Sequence, residues 1–276
     1  MTADLIITTY NRPDALSCVL HSVRRQTVLP LNVIVADDGS TLETKVLIQE
    51  FQKSFPTTLI HSWHEDRGFR AAEARNLALS KVQSDYVILI DGDMILDEHF
   101  VEDHLRFAQR GYFLQGGRVM MTQEKTEQVV QNPTSPLKTN IFDKGLESRL
   151  EKRITSFRSM LLGKLTLKEL RNKNKVRSCN MSFYYEDLVK VNGFNNLIFG
   201  WGREDSELVE RLLNAGVKGR IIKFVAIGYH LYHKEESRQS LERNDAILRN
   251  TITQKLTYCE DGLSRFLTEG AFVGGR

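Results

Sequence analysis

The feature that most constrains this chain is an alternation of two hydrophobic periods across its first 120 residues. Short β-branched apolar runs at 5–9, 33–36, 58–63 and 86–90 read as buried strands. Between them lie helical patterns. Pro13 suits a first helical turn, and Leu16, Leu20 and Val23 follow on one face. Val46, Leu47, Ile48 and Phe51 mark a second helix, and the Ala- and Leu-rich stretch 70–80 a third. Strands alternating with helices of this length predict βαβ units and an α/β fold with a mostly parallel sheet flanked by helices. Ligands of such sheets sit beyond the carboxyl ends of the strands. Three polar clusters fall there: Thr8-Thr9-Tyr10-Asn11-Arg12, Asp37-Asp38-Gly39-Ser40 and Asp91-Gly92-Asp93. They are expected to converge on one crevice.

The remainder divides by composition. Residues 1–121 form the first half of the fold. Residues 122–140 are polar and aperiodic and read as a loop. Leu146, Leu150, Ile154, Phe157, Leu161 and Leu165 then predict one amphipathic helix. Segment 144–177 holds eleven Lys and Arg against three Glu, so it carries +8 while the whole chain carries +3. Local basicity speaks of a partner surface rather than of fold. We therefore take 122–177 as a loop with a basic helical insertion. Residues 178–236 read as a second folded half, with a strand at 179–185, a helix at 204–214 closed by Gly216, and a final strand at 220–226. Leu241, Leu248, Ile252 and Leu256 suggest a helical tail over 237–276.

Several groups suggest chemistry. Two carboxylates one residue apart, Asp91 and Asp93, close an apolar strand, and a hard divalent cation would offset their mutual repulsion. A plain Asp-Gly turn fits the same residues. Asp38 can accept hydrogen bonds from a base or ribose, or serve only a turn before a helix. Arg67, Arg70 and Arg75 offer guanidinium groups suited to phosphate. Trp201 stands between Gly200 and Gly202, where an indole face can stack on a sugar. Glu204 and Asp205 open a helix. There a carboxylate in a cleft can take a proton from a hydroxyl, or simply favour the helix dipole. His230 and His233 follow a strand, and either is a candidate metal ligand beside Asp93.

In order, Thr8-Thr9-Tyr10-Asn11-Arg12, Ala36-Asp37-Asp38-Gly39-Ser40, Gly68-Phe69-Arg70, Ala74-Arg75-Asn76 and Asp91-Gly92-Asp93 resemble the motifs of family 2 glycosyltransferases with a GT-A fold. Gly200-Trp201-Gly202-Arg203-Glu204-Asp205 is similar to the signature of the galactosyltransferase and chondroitin-polymerase acceptor region. The resemblance implies a Rossmann-like GT-A domain with a helical insertion and a helical tail. It implies a UDP-sugar donor contacted by Thr8, Tyr10, Asn11, Arg12, Asp38, Arg70, Arg75, Asp91 and Gly92. It implies Mn²⁺ or Mg²⁺ on Asp93 with His233 or His230, and with Asp91 as a further ligand. Trp201, Gly202 and Glu204 would meet the acceptor, with Asp205 as catalytic base and Glu204 beside it. The implied activity is inverting transfer of a hexose or N-acetylhexosamine to a hydroxyl of a glycan or lipid-linked glycan, in surface polysaccharide synthesis.

Other readings explain less. A HAD-like phosphohydrolase needs a Ser or Thr soon after the Asp pair, where Met94-Ile95-Leu96 stands. A sugar-nucleotide pyrophosphorylase needs a Gly-rich loop after the first strand. A non-catalytic carbohydrate-binding protein leaves the acids unused. The longest apolar run, 86–90, is far below the roughly 20 residues that cross a bilayer. Met1 to Asp4 lacks a basic stretch, so no secretory leader is expected. Three scattered cysteines, Cys18, Cys179 and Cys259, fit a reducing compartment. The expected setting is cytoplasmic and peripheral on the inner face of a membrane, where the basic segment can meet anionic lipid. No nucleic-acid-reading motif accompanies the charge.

Overall fold

A computed structural model describes residues 1–146, 153–170, 176, 178–234 and 239–267. The first half runs β1 (Ala3–Thr9), α1 (Pro13–Val23), β2 (Asn32–Asp37), α2 (Leu42–Gln52), β3 (Thr58–Trp63), α3 (Ala71–Leu79) and β4 (Tyr86–Asp91). There follow β5 (Met94–Leu96), α4 (Phe100–Phe107), β6 (Tyr112–Gln115), β7 (Arg118–Met120), α5 (Gln123–Gln131) and α6 (Met160–Leu165). The rest comprises β8 (Lys168–Glu169), β9 (Asn180–Tyr184), α7 (Tyr185–Lys190), α8 (Glu204–Asn214), β10 (Lys218–Ile221), β11 (Gly228–His230), α9 (Leu241–Gln254) and a 3₁₀ turn, Leu263–Phe266.

The main sheet has the order β3-β2-β1-β4-β9-β6-β10-β8. Strands β1 to β4 are parallel, and β9 joins them antiparallel to both β4 and β6. The central residues of strands β1, β2 and β4 are apolar and buried because both sheet faces are covered. Leu5 and Ile7 belong, with Leu16, Leu20, Phe100 and Leu114, to the core on one face. Ile6 belongs, with Ala74, Ala78, Leu208 and Leu212, to the core on the other. Register carries the polar ends with it: Thr8 lies opposite both Ala36 and Asp91, and Thr9 opposite Asp37.

A second sheet, β5-β11-β7, supports the site from one side. Its register pairs His230 with Met94, so the residue after Asp93 and the first of the two histidines are neighbours. The Leu231 N–H donates to the Asp93 carbonyl at 2.9 Å, which continues the pairing.

Three expectations are corrected. Residues 123–131 form a helix within the segment read as a loop. The Thr122 hydroxyl accepts from the Lys125 N–H and caps it, and Thr126 is its buried residue. The single helix through Leu146 and Leu165 is not formed. Leu146 bridges to Met121, residues 147–152 (with Leu150) lie outside the described residues, and a turn follows Ile154. Helix α6 starts afresh under a Ser159 cap, where the Ser159 N–H also binds the Phe224 carbonyl at 2.8 Å. The strand expected at 220–226 ends at Ile221, since left-handed Phe224 (φ 62°) and Ala226 (φ 47°) break extension, and Gly228–His230 is the last strand. The helix 204–214 forms as expected; of the tail expected over 237–276, Leu241–Gln254 forms α9, Leu256 lies beyond its end, and 268–276 lie outside the described residues.

Candidate active site

A cleft of about 1210 Å³ opens at the carboxyl ends of β1, β2 and β4. All three strand-end clusters reach it, through Thr8, Thr9, Tyr10, Asn11, Arg12, Asp38, Asp91, Gly92 and Asp93. Opposite stand Trp201, Gly202, Glu204, Asp205, His230 and His233.

The two aspartates of β2 and its turn do different things. Asp37 Oδ1 accepts from the Ser40 N–H at 2.8 Å, and its Oδ2 lies 2.7 Å from His61 Nε2, so it builds the turn. Asp38 borders the cleft. Its Oδ2 accepts from the Arg70 N–H at 2.8 Å, and its Oδ1 lies 3.2 Å from His64 Nε2. Burial pushes the Asp38 carboxyl above its ordinary value, and the Asp38 carboxylate raises His64. Asn11 adopts φ 47°, a region Asn tolerates, and stitches the first two clusters together. Its N–H donates to Ser40 Oγ and its Oδ1 accepts from the Thr41 N–H. Tyr10 is half exposed and donates to Asp66 at 3.0 Å, while Arg12 pairs with Asp14. Gly92 is tightly enclosed, as a Cβ there would lie 3.0 Å from the Thr8 carbonyl oxygen and from Thr9.

Arg75 is the hub. It is buried on α3, with Nε donating to Thr8 Oγ1 at 3.1 Å and Nη2 to Asp91 Oδ1 at 3.3 Å. Its Nη1 reaches Glu204 at 3.5 Å and Asp205 at 3.7 Å. Burial alone would lower Arg75, but Asp205, Asp91 and Glu204 more than reverse that, so it stays charged. One guanidinium thus joins strand β4 to the start of α8. Arg70 does not line the cleft, and its guanidinium lies 4.5 Å above the Phe199 ring.

Asp205 is held by one oxygen. Its Oδ2 accepts from the Ser178 N–H at 2.8 Å, whereas Oδ1, 3.7 Å from Arg75 Nη1, is buried with no hydrogen-bond partner among the described residues. Glu204 beside it is raised well above the carboxylate range by burial and then by Asp205, against the opposing pull of Arg75.

Asp93, His230 and His233 bring their ligand atoms within 4.8 Å of one another. Asp93 Oδ1 is 3.5 Å from His230 Nε2, and Oδ2 is 3.3 Å from His233 Nε2. Among the described residues Asp93 Oδ1 and His230 Nδ1 are buried without hydrogen-bond partners. One carboxylate and two imidazoles, with orphaned atoms, suit a divalent cation. Asp91 faces Arg75 instead.

Sequence reasoning missed three contributors. Arg118, on β7, lines the cleft, though nothing in its local sequence sets it apart. His64 reaches Asp38 because β3 lies beside β2. Asn244, in the tail helix, donates to the carbonyls of Phe199 and Gly202 at 3.0 and 2.9 Å and so fixes the loop that carries Trp201.

The fold is that of the GT-A glycosyltransferase class. A glycosyl transferase family 2 model matches residues 4–192, and a model for the N-terminal domain of galactosyltransferase matches 165–234. The chain belongs to glycosyl transferase family 2. It is 25% identical over 92% of its length to a chondroitin synthase of Pasteurella multocida (strain Pm70), and 24% identical over 91% to one of Escherichia coli. It spans 27% and 37% of those two relatives. Among solved structures it is similar to S. aureus TarS (TM-score 0.62, 15% identity, 96% of this chain and 41% of that one). It is also similar to the mannosyltransferase PcManGT from Pyrobaculum calidifontis in complex with GDP-Man and Mn²⁺ (TM-score 0.57, 16% identity, 92% and 63%). A TarS fragment, residues 1–349, in complex with UDP-GlcNAc matches at TM-score 0.56 and 16% identity, over 86% and 60%.

Proposed function

We propose that this chain is an inverting, metal-dependent glycosyltransferase. It moves a hexose or N-acetylhexosamine from a UDP-sugar to a hydroxyl of a glycan, free or lipid-linked, in cytoplasmic assembly of surface polysaccharide. One observation carries the reading. Asp205 Oδ1, 3.7 Å from Arg75 Nη1, accepts no hydrogen bond among the described residues and faces the same cleft that holds Asp93, His230 and His233. Relatives that are chondroitin synthases, and structural neighbours bound to UDP-GlcNAc or to GDP-Man with Mn²⁺, support the donor and metal classes.

Asp38 accepts hydrogen bonds from the nucleoside, with Thr8, Tyr10 and Asn11 around it. Asp93, His230 and His233 hold a divalent ion, which when bound supplies positive charge for the diphosphate leaving group. Arg75 is committed to carboxylates, so Arg118 is the guanidinium we assign to the diphosphate. Trp201 stacks on a sugar, and Glu204 hydrogen-bonds an acceptor hydroxyl. Asp205 Oδ1 takes the proton of the attacking hydroxyl while Ser178 keeps the carboxylate oriented. The new C1–O bond forms opposite the C1–O bond to UDP that breaks, and the anomeric centre inverts.

The test is UDP release from a panel of UDP-sugars with Mn²⁺, followed by NMR of the product anomer. Release with one donor and an inverted product is expected. Absence of release with every donor, or retention of configuration, refutes the reading. Asp93→Ala is expected to abolish Mn²⁺-dependent UDP binding in calorimetry.

A further inference from the structure

Helix α6 exposes apolar side chains on the face it does not need for folding. Met160 and Leu167 pack on the main core, and Gly163 sits against Val225 and Phe107, leaving no room for a Cβ. The opposite side should then be polar in a solvated helix. Instead Leu161 is 68% exposed and Leu165 73%, one turn apart, with Leu162 half exposed and Phe157 62% exposed just before the Ser159 cap. Lone exposed leucines are ordinary, but an apolar group this concentrated marks an interaction surface.

The surrounding charge says what kind. Lys164 and Lys168 are exposed on the same short segment, and Lys223 is exposed on the loop against which Gly163 rests. The one described acid within α6–β8, Glu169, lies 3.7 Å from Lys218. The segment 144–177 carries +8. Arg158, just before the helix, is already spent on the buried Asp103 at 2.7 Å, so it anchors the segment while the lysines stay outward. Leucines and a phenylalanine flanked by lysines match a surface that is apolar just beneath a layer of negative charge.

We propose that α6 and the turn before it dock this chain on an anionic lipid bilayer, with Phe157, Leu161 and Leu165 entering the acyl boundary and Lys164, Lys168 and Lys223 meeting the headgroups. The docking adds a partner to the reading above and does not depend on which donor or acceptor the cleft takes. None of these residues lines the cleft.

Vesicle flotation of the full chain tests it, with phosphatidylcholine vesicles compared with mixed phosphatidylcholine and phosphatidylglycerol ones. The wild type is expected to float with the mixed vesicles at low salt, less at high salt, and not with pure phosphatidylcholine. Leu161→Asp with Leu165→Asp is expected to weaken partitioning by about ten-fold or more. Lys164→Glu with Lys168→Glu is expected to weaken it by about five-fold per lysine. Both variants should keep the wild-type melting temperature and Mn²⁺-dependent UDP binding, which separates this surface from the cleft. Absence of flotation with mixed vesicles, or flotation unchanged in both variants, overturns the proposal. So does light scattering that shows a wild-type dimer dissolved by the leucine variant, since a second copy would then cover the patch.

Discussion

Arg75 and Asp205 show how much of the site's energetics rests on single side chains. The Arg75 guanidinium is enclosed by Asp91, Glu204, Asp205 and Thr8, so its removal strands three carboxylates in a partly buried cleft. Arg75→Met is expected to cost about 3–5 kcal/mol, the range for losing one partner of a buried ion pair, read by urea unfolding. Arg75→Lys should recover only part of that, because an ammonium cannot fork toward both strand β4 and helix α8. Asp205→Asn removes a base but keeps the acceptor for Ser178. Turnover is expected to fall by about 10²–10⁴-fold with UDP binding intact. Normal turnover in a folded variant would take Asp205 out of the role. The residue types at these positions were legible in the chain, and Arg75 was expected at the donor. Its actual partners were not legible, because they depend on α3 lying across the ends of β1 and β4 from α8.

Elements explain both what the sequence revealed and what it hid. Strands β1, β2 and β4 are buried on both faces, so their apolar runs were plain and their polar ends marked the cleft. Helix α9 was legible only as a helix. Its buried positions are Asn244 and Thr251, while Ile252, one of the apolar residues that suggested it, is half exposed. Helix α9 packs through hydrogen bonds to a loop that lies forty residues upstream, which no local hydrophobic period encodes. Arg243 above Phe199, Ser240 against Gly200 and Asn244 on two carbonyls together hold the Trp201 loop. Asn244→Ala leaves both carbonyls short of a donor and frees the loop. The expected result is a KM for acceptor raised about ten-fold, while Mn²⁺-dependent UDP binding is unchanged, since a lost buried donor is worth about 1–3 kcal/mol. An equal loss of UDP binding would mean that α9 supports the whole cleft rather than this loop.

At the scale of the whole molecule, β9 enters the main sheet between β4 and β6, antiparallel to both, and a buried polar chain runs along it. Tyr86 Oη and Ser182 Oγ lie 2.8 Å apart, Ser182 Oγ lies 2.8 Å from His104 Nδ1, and His104 Nε2 lies 2.9 Å from Asn180 Oδ1. The Asn180 amide then donates to the carbonyls of Gly117 and Ala226 at 2.7 and 2.9 Å. With Asn180 oriented in that way, His104 donates from Nε2, and in the neutral ring Nδ1 accepts from the Ser182 hydroxyl. Burial drives its pKa from 6.5 down to about 4. The unfolded chain therefore takes up this proton first as the pH falls, and stability drops between about pH 6.5 and about pH 4 and is unaffected above that window. Each unit of pH in the window is expected to cost about 1.4 kcal/mol from this one group. His104→Gln can still donate to Asn180 but cannot titrate. It should be less stable than the wild type at neutral pH, with a slope of unfolding free energy against pH shallower by about that amount per unit. Equal slopes for the two proteins in urea unfolding at about pH 6 and pH 5 would show that the acid sensitivity lies elsewhere than in this buried chain along β9.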